Sequence, residues 1–206
     1  MPKRFVLFDF DGVITDSFRV CLETAQMRCP HLTEEEYRGL FEGSIDERRK
    51  AMKHTPECRL DLDFFSIYTP RMMREASVVE GMAEAVRELS PSYGLVIISS
   101  TVTASIRSLL DKFGLTDCFA EILGSDIRSS KADKIKMIMN QFKLSAEDCV
   151  FVTDTLGDIG EASQVGVGSI AVSWGFHSRE RLERGKPFRV VEKPEDLAPA
   201  IGEYFK

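Results

Sequence analysis

The chain has 206 residues, 43% of them hydrophobic and 29% charged, a composition typical of ordinary globular proteins. Its formal net charge of -6 repels nucleic-acid backbones and anionic lipid surfaces, so neither is an expected partner. The first apolar stretch ends at Asp9, too early for a signal peptide, and no run approaches the roughly 18 apolar residues of a membrane span. We therefore predict a cytoplasmic monomer or homodimer without nucleic-acid or membrane partners.

The cysteines and histidines show no spacing typical of a metal site. The five cysteines are odd in number and contain no C-x-x-C pair. We expect them to be small buried hydrophobic side chains in a reducing compartment. The residues concerned are Cys21, Cys29, Cys58, Cys118 and Cys149, together with His31, His54 and His177.

Short apolar runs bounded by turn residues alternate with longer helical patterns, which is typical of a parallel α/β sheet. The predicted strands are Phe5-Val6-Leu7-Phe8, Leu95-Val96-Ile97-Ile98, a weak one at Ile122 and Leu123, Val150-Phe151-Val152 and Ile170-Ala171-Val172. Apolar spacing predicts a helix between Val102 and Phe113 that stops at Gly114, and another through Ile135 and Phe142. The predicted fold class is α/β, a Rossmann-like parallel sheet with helices on both faces.

Residues 17 to about 79 differ, because they contain no good strand pattern but several charged helical stretches. One of these begins with the capping box Thr33-Glu34-Glu35-Glu36, and another runs from Ile45 to Lys53. We therefore predict a small inserted α-helical cap domain of residues 17–79. The catalytic core domain then comprises residues 1–16 and 80–206.

Polar side chains follow four predicted strands, at the end where parallel sheets place their ligands. In chain order they are Asp9 and Asp11, then Ser99 and Ser100, then Lys131, and finally Asp154 and Asp158. Any one of these groups alone is more typical of loop solubility or helix capping. Four groups that follow consecutive buried strands, however, must meet at one end of one sheet, which indicates a functional site.

The chemistry of these side chains favours a phosphoryl group as the ligand. Converging carboxylates repel one another, and a hard dication such as Mg²⁺ relieves that repulsion. Lys131 adds positive charge that can hold a phosphate oxygen, and Ser99 with nearby backbone amides can donate hydrogen bonds to another. Because Asp9 and Asp11 are two residues apart in an extended segment, both can face the substrate. One would attack phosphorus while the other transfers protons.

The order of these motifs resembles the haloacid-dehalogenase-like superfamily over nearly the whole chain. Asp9-Phe10-Asp11-Gly12-Val13 resembles its first motif, Ser99 its second, Lys131 its third, and Asp154 with Asp158 its fourth. The resemblance implies that Asp9 is the nucleophile and a metal ligand. It implies that Asp11 is the general acid and base, with its backbone carbonyl on the metal. Asp154 would be an acidic metal ligand, and Asp158 would bind the metal, directly or through water, or hold Lys131.

The helical insert after Ser17 resembles the type-one cap of this superfamily, with a substrate-facing loop from Phe41 onward. The stretches Phe176 to Leu182 and Val190 to Leu197 resemble the tail of phosphoglycolate phosphatase-like members. The resemblance implies a Mg²⁺-dependent phosphatase that hydrolyses a small phosphorylated metabolite, like phosphoglycolate or a sugar phosphate, through an aspartyl-phosphate. The implied catalytic residues are Asp9, Asp11, Ser99 and Lys131; the phosphate-binding residues Asp9, Gly12, Ser99, Ser100 and Lys131; and the metal ligands Asp9, Asp11, Asp154 and Asp158.

The sequence departs from the family pattern in two places and leaves one lysine assignment open. Thr153 stands where many members have Gly, and Ser99 stands where Thr is common. Lys134 lies one helical turn from Lys131 and competes with it for the third motif. We prefer Lys131, because it directly follows the Ser129-Ser130 loop.

Three alternative functions are disfavoured by particular residues. A sugar phosphomutase needs a second phosphate contact in the cap loop, where Asp46 occupies the position that aligns with the mutases' arginine. A dehalogenase lacks the second aspartate, so Asp11 argues against it, and a non-catalytic regulatory module does not need the complete motif set. Trp174 and Phe176 are expected to cover the sheet edge or the site rim. Basic cap residues that could bind an anionic substrate group are more typical of a solvated helix face: Arg48, Arg49, Lys53, Arg71 and Arg74.

Overall fold

The centre of the fold is a parallel sheet built from the predicted apolar runs. The computed structural model describes residues 4–43 and 45–206, with positions 46, 47 and 49 described through their backbone alone. The strands in these ranges are β1 (Phe5–Phe8), β2 (Thr15–Asp16), β3 (Ser77–Val78), β4 (Gly94–Ile98), β5 (Phe119–Leu123), β6 (Cys149–Thr153), β7 (Gly168–Val172) and β8 (Arg189–Val191). Within the described chain, six of them form one sheet in the order β5-β4-β1-β6-β7-β8, with every pair parallel.

Helices cover this sheet. They are α1 (Phe18–Arg28), α2 (Glu34–Gly39), α3 (Ile45–Ala51), α4 (Phe64–Glu75), α5 (Met82–Leu89), α6 (Thr103–Phe113), α7 (Lys131–Phe142), α8 (Leu156–Gln164), α9 (Arg179–Glu183) and α10 (Leu197–Tyr204). Val6 and Phe8 of β1 belong to one buried cluster, while Phe5 and Leu7 belong to another. Because alternate residues of a strand point to opposite faces, β1 is covered on both sides. The predicted α/β class is confirmed. Of the helices in the described ranges, none has the length and apolar character needed to cross a bilayer.

The helix ends follow the capping signals in the sequence. The side chain of Thr33 accepts the Glu36 N–H, and the Glu36 carboxylate accepts the Thr33 N–H, which completes the predicted capping box. Gly114 ends α6 in the left-handed region, with φ of 63°. The side chain of Ser130 caps α7, so that Lys131 is the first residue of this helix.

Two features of the sheet structure were not predicted. The edge strand β8 is only three residues long and begins with the exposed Arg189, so it lacks an apolar run. The strands β2 and β3 pair antiparallel, with Thr15 opposite Val78 and Asp16 opposite Ser77. The strand β3 lies in the segment that the sequence predicts to be without strands, and that part of the prediction is wrong. Two-residue strands are too short to produce an alternating pattern.

The β2–β3 pair brings together the two ends of the helical segment that contains α1 to α4. Next to this pair, the Val79 N–H donates to the carbonyl of Ile14 at 2.9 Å. Within the segment, α1 packs along α4. The β2–β3 pair lies where a separate cap would join a core. The division into a cap of residues 17–79 and a core of residues 1–16 and 80–206 stays a prediction.

Candidate active site

The predicted polar groups meet at the carboxyl ends of the parallel strands. There β1 lies between β4 and β6, at the point where the connections change direction and where α/β folds bind their ligands. A cavity of about 630 Å³ opens at this point. The described residues that line it include Asp9, Asp11, Ser100, Lys131 and Asp158.

Lys131 lies between two carboxylates of the cavity. Its Nζ is 2.7 Å from Asp9 Oδ2 and 2.7 Å from Asp158 Oδ2, and all three side chains are buried. Burial by itself lowers the pKa of Lys131, but attraction by Asp158 and Asp9 outweighs burial and raises the pKa, so the amine stays charged. The hydroxyl of Thr153 donates to Asp158 Oδ2 at 2.8 Å, so the departure from the family's glycine adds a bond to this carboxylate.

The Lys131 ammonium does not compensate all the carboxylates around it. Burial raises the pKa of Asp158, but Lys131 outweighs burial and holds that pKa below its ordinary value. Burial raises the pKa of Asp9 well above its ordinary value despite Lys131. Burial also raises the pKa of Asp154 to about 7. The cavity floor is therefore short of positive charge.

Asp154 is fully buried, and one of its oxygens is unsatisfied. Oδ2 accepts the N–H of Phe176 at 2.7 Å, but no group among the described residues hydrogen-bonds to Oδ1. Two glycines press against this carboxylate: a Cβ would lie 2.1 Å from Oδ2 at Gly12 and 2.2 Å from it at Gly175. An unpaired, buried carboxylate oxygen beside further carboxylates suits a hard cation. The donor set fits Mg²⁺.

Three hydroxyl groups donate to the carboxylate of Asp11. Thr101 Oγ1 lies 2.7 Å from Oδ2, and Ser17 Oγ lies 2.8 Å from Oδ1. The hydroxyl of Tyr68, a fully buried residue of α4, also donates to Oδ1. Sequence reasoning missed Thr101 and Tyr68, because a single hydroxyl residue in a loop or a helix forms no motif.

Ser99, expected in the site, is not among the described residues that line the cavity. This residue is fully buried, and its hydroxyl accepts the N–H of Thr101 at 3.0 Å. Ser100 and Thr101, rather than Ser99, belong to the described lining of the cavity. The Ser99 hydroxyl accepts a hydrogen bond within the turn after β4, and the catalytic role expected of Ser99 stays a prediction.

Lys134, the competitor of Lys131, contacts backbone rather than carboxylates. Its Nζ donates to the carbonyls of Ser99 and Gly124, at 2.8 Å each. Burial, reinforced by repulsion from Lys131, lowers the pKa of Lys134 to about 8. The geometry thus places Lys131, and not Lys134, between the aspartates.

Gly12 lies in the turn after β1, and its expected role in phosphate binding stays a prediction. Its N–H donates to the carbonyl of Thr15 at 2.8 Å, so this group is used within the turn. Glycine suits the position for two other reasons: φ is 78°, and the Asp154 carboxylate approaches closely.

The helical segment 17–79 forms the opposite wall of the cavity. Its cavity-lining residues include the aromatic side chains of Tyr37, Phe41, Phe64, Phe65 and Tyr68. Phe41 packs edge-on against Phe176 with ring centroids 4.9 Å apart, and its carbonyl accepts the N–H of Gly157 at 2.9 Å. Arg38 donates to the carbonyl of Phe176. The segment thus lies closed over the cavity, and Phe176 lines its rim as expected.

Most of the basic residues considered in the cap bind carboxylates of the protein. The pairs are Arg71 with Glu23 at 2.5 Å and Glu75 at 2.7 Å, Arg74 with Glu75 at 2.7 Å, and Arg48 with Glu42 at 3.7 Å. The side chains of Asp46 and Arg49 lie outside the described residues. Sequence reasoning missed Arg128, an exposed cation in the loop after β5 that lines the cavity.

Comparisons with known proteins agree with this geometry. Residues 6–172 match the family model of haloacid dehalogenase-like hydrolases. The phosphoglycolate phosphatase of Synechococcus elongatus is 26% identical over 204 residues, which cover 95% of this chain and 96% of that protein. The probable phosphatase IndB of Dickeya dadantii is 31% identical over 118 residues, 56% of this chain and 50% of that protein. A solved haloacid dehalogenase-like hydrolase from Streptococcus pneumoniae superposes with a TM-score of 0.82 at 21% identity, over 96% of this chain and 98% of that chain.

The fold is an α/β fold with a parallel sheet, and aspartates and a lysine meet at the carboxyl ends of its strands. The chain belongs to the haloacid dehalogenase-like hydrolase family, whose model matches most of its length. The predicted resemblance to phosphoglycolate phosphatases and the predicted class of phosphoric monoester hydrolase are confirmed.

Proposed function

We propose that this chain is a Mg²⁺-dependent phosphatase that hydrolyses a small phosphomonoester through a phosphorylated Asp9. The observation that carries the proposal is the cavity floor: Lys131 lies 2.7 Å from both Asp9 and Asp158, and Asp154 beside them keeps an unpaired buried oxygen. A bound cation would balance the excess negative charge of this floor, and Lys131 together with that cation would then hold the phosphoryl oxygens.

In this proposal the metal ligands are Asp9, Asp154 and the backbone carbonyl of Asp11. A bound Mg²⁺ supplies positive charge for the phosphoryl oxygens. Asp158 is occupied by Lys131 and Thr153, which supports a role in holding the lysine rather than direct ligation. Burial raises the pKa values of Asp9 and Asp154, although Lys131 lies beside Asp9, so one lysine does not neutralise these carboxylates.

In this proposal Asp9, Asp11 and Lys131 have separate roles in the reaction. A carboxylate oxygen of Asp9 attacks phosphorus, and the bond from phosphorus to the ester oxygen breaks as the acyl phosphate forms. Asp11 gives its proton to the departing alkoxide. Asp11 then takes a proton from water, whose oxygen attacks phosphorus, and inorganic phosphate leaves as the Asp9 carboxylate is restored. Lys131 stabilises the charge on the phosphoryl oxygens throughout.

The size of the cavity and the cations that line it support a class of substrate. A cavity of about 630 Å³ that the helical segment covers suits a small organic group rather than a polymer. No ion pair or hydrogen bond to another described residue occupies the guanidinium of Arg128, which can therefore bind a second anionic group of the substrate. We propose a phosphorylated carboxylic acid or a sugar phosphate, with phosphoglycolate as the first compound to test because of the Synechococcus relative.

The test is release of inorganic phosphate from a panel of phosphorylated metabolites with Mg²⁺, alongside an Asp9→Asn control. We expect one or a few small phosphomonoesters to be hydrolysed by the unmodified chain and none by the control. Glucose phosphates in the panel also reveal a mutase through an isomer without free phosphate. Absence of phosphate release from every ester, including an aryl phosphate, would refute the proposal. The cytoplasmic location and the oligomeric state stay predictions.

A further inference from the structure

A group of cysteine and histidine side chains lies in the helical segment, outside the described lining of the active-site cavity. Cys29 directly follows α1, and His54 and Cys58 follow α3. The Sγ atoms of the two cysteines and a ring nitrogen of His54 all lie within 4.8 Å of one another. Three soft or borderline ligand atoms therefore converge on one point.

The separations are those of neighbouring vertices of a zinc coordination tetrahedron. Cys29 Sγ lies 3.5 Å from His54 Nδ1, and Cys58 Sγ lies 3.7 Å from His31 Nδ1. Zinc bonds of about 2.3 Å to sulfur and about 2.0 Å to nitrogen place neighbouring S and N ligands about 3.6 Å apart. His31 lies beside Cys58, outside the group of three whose ligand atoms are all close to one another, and is the candidate for the fourth ligand.

The surroundings of His31 orient it for this role. Its Nε2 lies 3.3 Å from the carbonyl of Lys53, the kind of backbone acceptor to which metal-binding histidines donate their other ring N–H. Nδ1 then faces Cys58, and the hydroxyl of Thr55 lies 3.4 Å from the same nitrogen. The Arg59 N–H donates to the carbonyl of Arg28 at 2.6 Å, which holds the two parts of the chain side by side.

We propose that this segment holds a structural zinc site with two thiolate and two imidazole ligands: Cys29, His31, His54 and Cys58. Thiolate and imidazole donors favour Zn²⁺ over the hard cations Mg²⁺ and Ca²⁺. Four protein ligands fill the tetrahedron, so no position remains open for catalysis. Each thiol releases its proton to solvent when it binds. In this proposal Cys29 and Cys58 are metal ligands rather than only the small buried hydrophobic side chains that the sequence leads us to expect.

The site connects the end of α1 to the segment after α3. The chain between these points carries α2 and the cavity-lining residues Tyr37 and Phe41. The zinc ion therefore fixes the base of one wall of the active-site cavity without contacting the phosphoryl group. This role goes beyond the proposed phosphatase reaction and is independent of it.

The test measures metal directly. The full chain, purified with a reductant and without chelators, should contain about one zinc ion per chain by elemental mass spectrometry. After removal of zinc, titration with Co²⁺ should give the visible absorption of a tetrahedral site and a thiolate-to-cobalt charge-transfer band. Cys58→Ser and His54→Ala should each weaken Co²⁺ binding more than about 100-fold, beyond the effect of losing an outer-shell contact.

Two control variants show whether the metal depends on these four side chains. Cys118→Ser removes a half-buried cysteine outside the cluster and should bind Co²⁺ like the unmodified chain. Asp9→Asn should also keep full zinc content, so that failure of the phosphatase proposal leaves this result intact. His54 is exposed, so His54→Ala tests the site even if Cys58→Ser does not fold. Reduced chain with substoichiometric zinc and no tetrahedral Co²⁺ spectrum would overturn the proposal, as would equal Co²⁺ binding by His54→Ala.

Discussion

Asp9 and Asp11 leave the same strand two residues apart, yet their surroundings differ. Asp9 is buried and lies 2.7 Å from the ammonium of Lys131. Asp11 is partly exposed and accepts hydrogen bonds from the hydroxyls of Ser17, Tyr68 and Thr101. A charged partner suits a group that attacks phosphorus, whereas neutral hydroxyls can orient a group that gains and loses a proton. Substitution of Asp9 should therefore impair catalysis in a different way from substitution of Asp11.

Substitution of each aspartate tests this division. Asp9→Asn should abolish the phosphoenzyme, because the amide cannot attack phosphorus. Asp11→Asn should slow turnover of an alkyl ester by roughly 10²–10⁴-fold, the usual contribution of general acid–base catalysis, and slow an aryl phosphate much less. Quenched-flow trapping of the phosphoenzyme and steady-state rates on both esters measure this. Near-normal turnover by Asp9→Asn would assign the nucleophile to another residue.

Tyr68 is expected to position Asp11 from the helical segment. Tyr68→Phe removes one donor to the carboxylate, a bond worth on the order of 1.5–3 kcal/mol, so kcat on an alkyl ester should fall by roughly tenfold or more. The loss should be smaller for an aryl phosphate, whose leaving group needs little protonation. Tyr93→Phe, at a ring that stacks on Phe205 away from the cavity, is the matched control. An equal loss on both esters would argue against an effect through Asp11.

At the scale of elements, the turns after β1 and β7 are shaped by the carboxylate that follows β6. Gly12 and Gly175 approach Asp154 so closely that neither position has room for a side chain. Gly175→Ala should displace this carboxylate and raise the Mg²⁺ concentration for half-maximal activity by about tenfold or more, within the range for a disturbed ligand environment. Gly202→Ala in α10, where a Cβ meets no neighbour, is the control. Unchanged Mg²⁺ dependence in Gly175→Ala would remove Asp154 from the metal site.

The helical segment should choose the substrate rather than perform the chemistry. The stretch from Gly43 to Arg49, which the sequence suggests is a loop, includes the first residues of α3. It follows the cavity-lining Phe41, and substitutions in it should change the ranking of metabolites strongly but aryl phosphate hydrolysis little. Hinges are expected near Asp16-Ser17 and near Val79-Glu80-Gly81, where Gly81 has a φ of 85°. Variants of this stretch, assayed in parallel on a metabolite panel and an aryl phosphate, test this. Equal loss on every substrate, with the fold intact, would assign the stretch to the chemistry itself.

For the whole molecule, the buried carboxylates make the free energy of unfolding depend on pH. Burial raises the pKa of Asp154 to about 7, and it also raises the pKa of Asp9. At pH values between the ordinary aspartate pKa and about 7, the folded chain therefore binds more protons than the unfolded chain. The unfolding free energy contributed by these groups is therefore present at low pH and is lost as pH rises toward about 7.

This linkage predicts a metal-dependent stability profile. In chelator, Tm should be higher near pH 5 than near pH 7.5, and Mg²⁺ should raise Tm more at the higher pH, where the carboxylates are ionised. Differential scanning fluorimetry at both pH values, with and without Mg²⁺, measures the effect. Asp154→Asn, which cannot ionise, is the control and should show a smaller pH dependence. The same pH profile in both proteins would assign the effect to other groups.

The local pattern of the sequence was sufficient for the sheet and for the order of the site residues. A buried parallel strand needs a short apolar run, and the residue after it must lie at the carboxyl edge of the sheet, so Asp9 and Asp154 could be placed before any contact was known. The edge strand β8 and the β2–β3 pair could not, since each is too short for a periodic signal.

Only the tertiary structure decided which side chains touch. Tyr68 reaches Asp11 across 57 residues of sequence, and the Ser99 hydroxyl accepts the N–H of Thr101 in the turn after β4. Cys29 and Cys58 come together because α1 and the segment after α3 run side by side. The physical reason is common to these cases: periodicity reports which face of one element is buried, whereas a site depends on distances between elements, which only the packed chain fixes.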